Sequence, residues 1–342
     1  MVKQVGIVMC AMLLGVTLLA SDAAAGAKAD YVIKFGHTAT EGAFTSIEGA
    51  FSSVFKAIVE AKTGGKVKVE IYPSGQLGGQ RELAESAKLG NIEAAFVSDA
   101  ALSGFVPKAM IFSMPYMFTD TFESYRLFNS PWGKELNQDS IKLVGLRILQ
   151  AGGFGFRSLT NNKRPIKSPN DAAGLKIRVM ESPVPVAMIK GIGANPTPIS
   201  VTELYTSLQQ GVIDGQENPP IVLTTYKLHE VQKYMTLNKH QLGTALVVMN
   251  EKFYQKLPKE FQAAVDEAAD AGVKAWMGLS IIINEGEGLK LLTEKMEIYS
   301  PTAVEMNEFK AKMQPPAQKA IAEKVGDDFV KRSFEAIKRV AQ

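Results

Sequence analysis

Residues 31–72 read YVIKFGHTATEGAFTSIEGAFSSVFKAIVEAKTGGKVKVEIY, and the hydrophobic period changes twice within them. Tyr31 to Gly36 reads as a strand. Phe44, Ile47, Phe51, Val54, Phe55 and Ile58 then recur at helical spacing until Gly64-Gly65 stops the helix. Val67, Val69 and Ile71 alternate as a half-buried strand ending at Pro73. Further on, Gln80 to Leu89 reads as a helix ended by Gly90, and Ile92 to Val97 as the next strand. A β-α-β-α-β series of this kind predicts a mainly parallel sheet covered by helices.

A second series begins near Leu143. Val144 to Leu149 and Phe154 to Leu159 read as strands, Leu175 to Val179 as another, and Ser182 to Ile192 as a helix ended by Gly193. Ser200 and Glu203 have capping-box spacing before a helix with a core stripe of Leu204, Leu208 and Val212. Two α/β units in one chain predict two lobes. Because no linker rich in Pro, Gly or Ser separates them, several strand-like crossings are expected to join them. From Pro258 to Lys295 nearly every residue is a good helix former. This segment is either one long helix lying across both lobes or two helices with a turn near Gly286.

The N-terminus points to export. Lys3 precedes an apolar run from Val5 to Ala20, followed by the small residues Ala23-Ala24-Ala25. That order is a secretory signal peptide, expected over residues 1–27, and it predicts a periplasmic protein; the competing reading is an uncleaved anchor. The only cysteine, Cys10, lies inside the apolar run, so cleavage leaves a chain with no thiol chemistry and no disulfide. With 38 basic and 35 acidic residues the net charge is +3. No basic run is dense enough to draw a nucleic acid.

Motifs for catalysis, cofactors and metals are missing: there is no Gly-x-Ser-x-Gly, no His-Glu-x-x-His and no phosphate loop. His37, His229 and His240 are far apart, without metal-ligand spacing. Residues 157–218 instead concentrate groups suited to binding an anion. Arg157 ends the run Gly-Phe-Gly-Phe-Arg, and Arg178 sits inside the apolar strand Leu175 to Val179. A single arginine so placed fits a solvated sheet face. Two on strands of one α/β unit can converge at the strands' carboxyl ends, where open sheets bind ligands. A guanidinium fork matches a carboxylate, and nearly as well two oxygens of a sulfonate. The run Asp214-Gly215-Gln216-Glu217-Asn218-Pro219-Pro220 reads as a stiff turn, with Asn218 able to donate and accept and with Asp214 and Glu217 in turn or cap hydrogen bonds. Tyr205 either packs or lines the cleft.

At these residues the chain resembles the DctP family, the periplasmic solute-binding subunits of tripartite ATP-independent periplasmic (TRAP) transporters. The matching segments are YPSGQLGG (Tyr72–Gly79), FRSLTNNKRPI (Phe156–Ile166), DAAGLKIRV (Asp171–Val179), GANPTP (Gly193–Pro198) and LYTSLQQGVIDGQENP (Leu204–Pro219). The resemblance implies an α/β periplasmic-binding-protein fold of two lobes, with hinge strands and a long helix bridging both. It divides the chain into lobe I, 28–154 plus about 243–282, and lobe II, 155–242 plus about 283–342. It further implies that Arg178 is the principal anion anchor, Arg157 a second contact and Asn218 the completing amide. His37, Glu41, Ser98 and Asp99 are the implied candidates from lobe I. The implied ligand is a small organic anion: a C4-dicarboxylate, another short carboxylate, or a short sulfonate such as isethionate. The implied partners are membrane permease subunits, with no cofactor. The competing function is an α/β enzyme for a small organic acid, with Arg178 on the carboxylate and Asp214 or Glu217 as base.

Overall fold

The computed structural model describes residues 29–341; the expected signal peptide, with Cys10, lies outside them. In chain order the first half comprises β1 (Tyr31–Gly36), α1 (Ile47–Lys62), β2 (Val67–Tyr72), α2 (Gln80–Leu89), β3 (Ala94–Ser98), α3 (Asp99–Ser103), α4 (Glu123–Phe128), α5 (Pro131–Val144) and β4 (Leu146–Asn161). The second comprises β5 (Lys176–Val179), α6 (Pro183–Gly191), β6 (Asn195–Pro198), α7 (Val201–Gln209), β7 (Gly215–Asn218), α8 (Pro220–Thr225), β8 (Tyr234–Asn250), α9 (Glu251–Lys256), α10 (Lys259–Glu285), α11 (Glu287–Lys295), β9 (Glu297–Tyr299), α12 (Ala303–Val325) and α13 (Asp327–Val340).

Local signals set several helix ends. Ser46 caps α1 by accepting from Gly49 N at 2.9 Å, and Gly90 ends α2 in the left-handed region. Phe51 and Phe55 are fully buried. Phe51 lies 5.5 Å from Phe35 and 5.6 Å from Trp276 between ring centroids, an aromatic core beside the β1 end of the sheet. Phe44, expected on the helix, falls in the turn before it and is 85% exposed. The capping box at Ser200 does not form: the Ser200 hydroxyl pairs with Thr202 at 3.0 Å instead. Val212 lies beyond the end of α7 and is 52% exposed.

The sheet runs β2-β1-β3-β8-β4-β7-β5-β6, with β9 beside β8. Each end is parallel, as the β-α-β reading requires, but the middle is not. β8 runs antiparallel to β3 and β4, and β4 antiparallel to β7. β4 and β8 are the long strands, 16 and 17 residues, and each crosses from one lobe into the other.

The two strands expected at 144–149 and 154–159 are one, β4, and the glycines between them explain why. A Cβ at Gly152 would lie 2.7 Å from Val273 and 2.8 Å from Trp276, so the missing side chains let α10 press onto the strand. Trp276 Nε1 then donates to Gly153 O at 3.0 Å. Gly155, at φ +115°, accompanies a register shift just before Arg157.

The long helical segment combines the two expectations. α10 has 27 residues, about 40 Å at 1.5 Å per residue, and breaks at Gly286 into α11. α10 packs along α1 in the first lobe and reaches α8 in the second. There Asn284 accepts from Ile221 N at 2.8 Å and donates to Phe154 O at 2.9 Å. α12 packs on α6, and α13 packs on α4. Trp132 Nε1 of α5 donates to the Ser333 hydroxyl of α13 at 3.0 Å.

Candidate functional site

The two lobes meet over a cavity of about 50 Å³. One side is lined by Ile47, Glu48, Gln80, Phe96 and Ser98 and the other by Arg178, Met180, Asn218, Val222, Thr225 and Tyr226, with Arg157 from the second half of β4. Direct bonds hold the lobes together around it. Thr38 and Tyr226 share a hydroxyl–hydroxyl bond of 3.0 Å, Thr225 donates to Thr45 O at 2.9 Å, and Ser103 donates to Ser182 at 3.1 Å.

β5 and β7 lie side by side, and this brings Arg178 and Asn218 together at their ends. Arg178 is only 4% exposed, not on a solvated face. Its Nε donates to Ile199 O at 2.7 Å, and among the described residues neither Nη has a partner, so the fork is presented to the cavity. Burial first, and the neighbouring Arg157 charge second, bring its pKa down to about 10; it remains a cation at neutral pH.

Arg157 is 1% exposed and is fixed by Glu217. Its Nε donates to Glu217 Oε2 at 2.5 Å, and its Nη2 to Oε1 at 2.8 Å and to Glu217 O at 2.6 Å. The stiff turn expected at 214–220 is therefore largely a strand, β7, paired with β4 and β5, and Glu217 is a buried ion partner and not a turn residue. Burial alone would raise the Glu217 pKa, but Arg157 and the His240 ring, 3.2 Å away, hold it at about 2. Glu217 is thus no base, and Asp214 accepts from Lys176 N at 2.8 Å outside the cavity. The enzymatic alternative loses both of its bases.

The other expected residues divide. Ser98 lines the cavity while its hydroxyl caps α3 through Ala101 N, 3.2 Å away. Asp99 lies behind it, bonded by the Ser113 hydroxyl, and burial pushes its carboxyl up to about 6. His37 is fully buried beside Phe35 and lines no part of the cavity; burial lowers its pKa to about 4. Glu41 is exposed on the loop before α1. Tyr205 turns outward and donates to Glu230 at 3.0 Å, because its neighbours Leu204 and Leu208 take the core face of α7.

Sequence reasoning missed Glu48, Gln80 and Tyr226. Gln80 accepts from Ser98 N at 3.0 Å. Glu48 occupies the first turn of α1, is 5% exposed, and has one oxygen 3.5 Å from the Tyr226 hydroxyl. Burial pushes its carboxyl up from the ordinary value of 4.5 to about 7. A carboxyl raised in the folded state binds protons more tightly there than when unfolded, so stability falls as pH rises from 4.5 to 7 and stays lower above. Glu48→Gln is expected to stabilise the ligand-free protein by about 1–3 kcal/mol at pH 8. Urea unfolding should show the gain shrinking toward zero near pH 4.5; equal gains at both pH values would mean that Glu48 is not charged in the fold.

Two α/β lobes on crossing strands, with unpaired guanidinium donors in the cleft, define a solute-binding protein. The model of the DctP family, bacterial extracellular solute-binding protein family 7, matches residues 35–324. The chain belongs to this family, the solute-binding subunits of TRAP transporters, and not to an enzyme family. It is 40% identical over 220 residues to a solute-binding protein of Verminephrobacter eiseniae, a match spanning 64% of this chain and 65% of that one. It is 30% identical to the sialic acid-binding periplasmic protein SiaP of Vibrio cholerae over 88% of this chain and 91% of SiaP. A TRAP periplasmic solute-binding protein from Sulfurospirillum deleyianum with bound succinate superposes with a TM-score of 0.81 at 32% identity, covering 89% of this chain and 98% of that one. Among the described residues no helix is long and apolar enough to cross a membrane.

Proposed function

We propose that the protein works in the periplasm, captures a short organic anion between its lobes and delivers it to TRAP permease subunits in the membrane for uptake. The observation that carries this reading is the unpaired guanidinium fork of Arg178 in a closed cleft, beside Arg157 and Asn218. A carboxylate or a sulfonate, isethionate included, satisfies such a fork. The cavity has room for roughly four water molecules at 10–15 Å³ each, a small enclosed site that a short anion can fill. The related proteins that bind succinate and sialic acid support an organic acid as the ligand class.

In this reading the lobes are 28–154 plus about 243–282 and 155–242 plus about 283–342, with α13 docked back on the first, and they turn on β4 and β8. The anion favours the closed form by touching both lobes, so it shifts an open–closed equilibrium by its differential affinity. Small-angle scattering is expected to show a smaller radius of gyration on saturation with the anion, and no change for Arg178→Ala at the same concentration. An unchanged radius for the wild type would remove closure from the mechanism.

A further inference from the structure

Glu48 is a second acidic group in a pocket built for an anion, and the anion reading does not explain it. The charged side chains that line the cavity are Arg157, Arg178 and Glu48. Arg157 and Glu217 form a buried ion pair and cancel. Arg178 is the cation left over, with both Nη atoms unpartnered among the described residues. That leaves room for one negative charge on the ligand. Across the cleft stands Glu48 on α1, buried, lining the same cavity and paired with no cation among the described residues. One of its oxygens makes only the long contact to Tyr226, whose hydroxyl is also held by Thr38 at 3.0 Å. The other has no side-chain donor among the described residues, and the residue lines the cavity. A carboxylate in a closed cleft that is short of donors is costly, and a ligand that brought a donor would lower the cost.

We infer that Glu48 selects the ligand: the protein takes a short monoanion whose acidic end sits on Arg178 and whose other end carries a hydroxyl or ammonium donor for Glu48, and it rejects a dianion. This rests on the anion-binding reading above and names its substrate class. A second carboxylate, as in a C4-dicarboxylate, would place like charges together in a closed cleft, where they repel strongly. A plain alkyl end would leave Glu48 buried without its donor. Hydroxyalkyl sulfonates, hydroxy acids and amino sulfonates meet both conditions; dicarboxylates and simple alkyl acids meet only one.

The test is calorimetry at pH 8 on full-length mature protein stripped of ligand by unfolding and refolding. The sulfonate set is ethanesulfonate, 2-hydroxyethanesulfonate, 2-aminoethanesulfonate and sulfoacetate; the carboxylate set is propanoate, 3-hydroxypropanoate and malonate. Hydrogen bonds to charged groups are worth about 10- to 150-fold in affinity. In at least one set the member with the donor is expected to exceed both the alkyl member and the dianion by that factor. In Glu48→Gln the penalty on the dianion should fall at least tenfold. If a dianion binds the wild type as tightly as the donor member, or if hydroxyl and alkyl members bind alike, the role of Glu48 is overturned while the anion site stands. If no member of either set binds, the short-anion reading fails first, and the role of Glu48 with it. The wild-type series decides the matter even if the variant does not fold.

Discussion

Arg178→Lys lowers affinity for the anion by roughly 30- to 4000-fold and leaves the ligand-free fold intact. The factor corresponds to about 2–5 kcal/mol, the usual loss when a charged hydrogen-bond partner is removed from a closed cleft. Arg178 is pinned through Nε to Ile199 O, so its two Nη atoms arrive already oriented as a planar fork. Lysine keeps one charge but has a single rotatable ammonium and cannot make both parallel bonds. Burial and the nearby Arg157 charge already lower the Arg178 pKa to about 10, and the same surroundings disfavour the compact charge of an ammonium. The fold tolerates the change because Arg178 makes one bond to the protein, whereas Arg157 makes three to Glu217. Titration calorimetry is the measurement, with circular dichroism as the control. Wild-type affinity in Arg178→Lys would take that side chain out of the site.

What the sequence disclosed depended on whether the signal was local. The first β-α-β-α-β unit was legible because Phe51, Phe55, Val67 and Val69 obey helix and strand periods that burial enforces, and Gly64-Gly65 and Gly90 mark the stops. The mixed centre of the sheet was not legible. β4 and β8 contain no turn between the lobes, and Gly152-Gly153 looks like a break unless one knows that Trp276, more than a hundred residues later, needs the space. The same divide runs through the site. Arg178 was identifiable as an arginine inside an apolar strand. Glu48 was not, because on sequence it is one acidic residue in the first turn of an amphipathic helix, where helix dipoles favour acids anyway. Only the closure of α8 over α1, which brings Tyr226 to it, makes it a cleft residue. Glu217 was read as a turn residue because Gly215 and two prolines flank it, yet tertiary pairing on both sides makes that segment a strand. Its partner Arg157 is 60 residues away in sequence, so the ion pair had no local trace.

That ion pair carries the second large effect. Glu217→Gln is expected to destabilise the protein by about 3–5 kcal/mol, the cost of leaving one buried charge without its counterion. Arg157 and Glu217 are both essentially inaccessible, so water cannot replace the lost carboxylate. His240 offers no substitute, since it carries no negative charge and burial lowers its own pKa. The pH dependence gives an independent reading of the same energy. The Glu217 carboxyl is depressed to about 2 from an ordinary 4.5, so its contribution is complete above about pH 4.5 and is lost as pH falls from there toward 2. A shift of that size corresponds to about 3 kcal/mol, in line with the mutational figure. Urea unfolding of wild type and Glu217→Gln should therefore give a constant gap between pH 5 and 8 that narrows below pH 4.5. Removing both charges, as in Arg157→Met with Glu217→Leu, should recover much of the loss, since apolar replacement of a whole buried pair is often neutral. If the single variant costs under about 1 kcal/mol, or the double costs as much as the two singles added, the pair is not a coupled unit. The count that treats Arg157 and Glu217 as one neutral unit, and so limits the ligand to one negative charge, would then lose its energetic support.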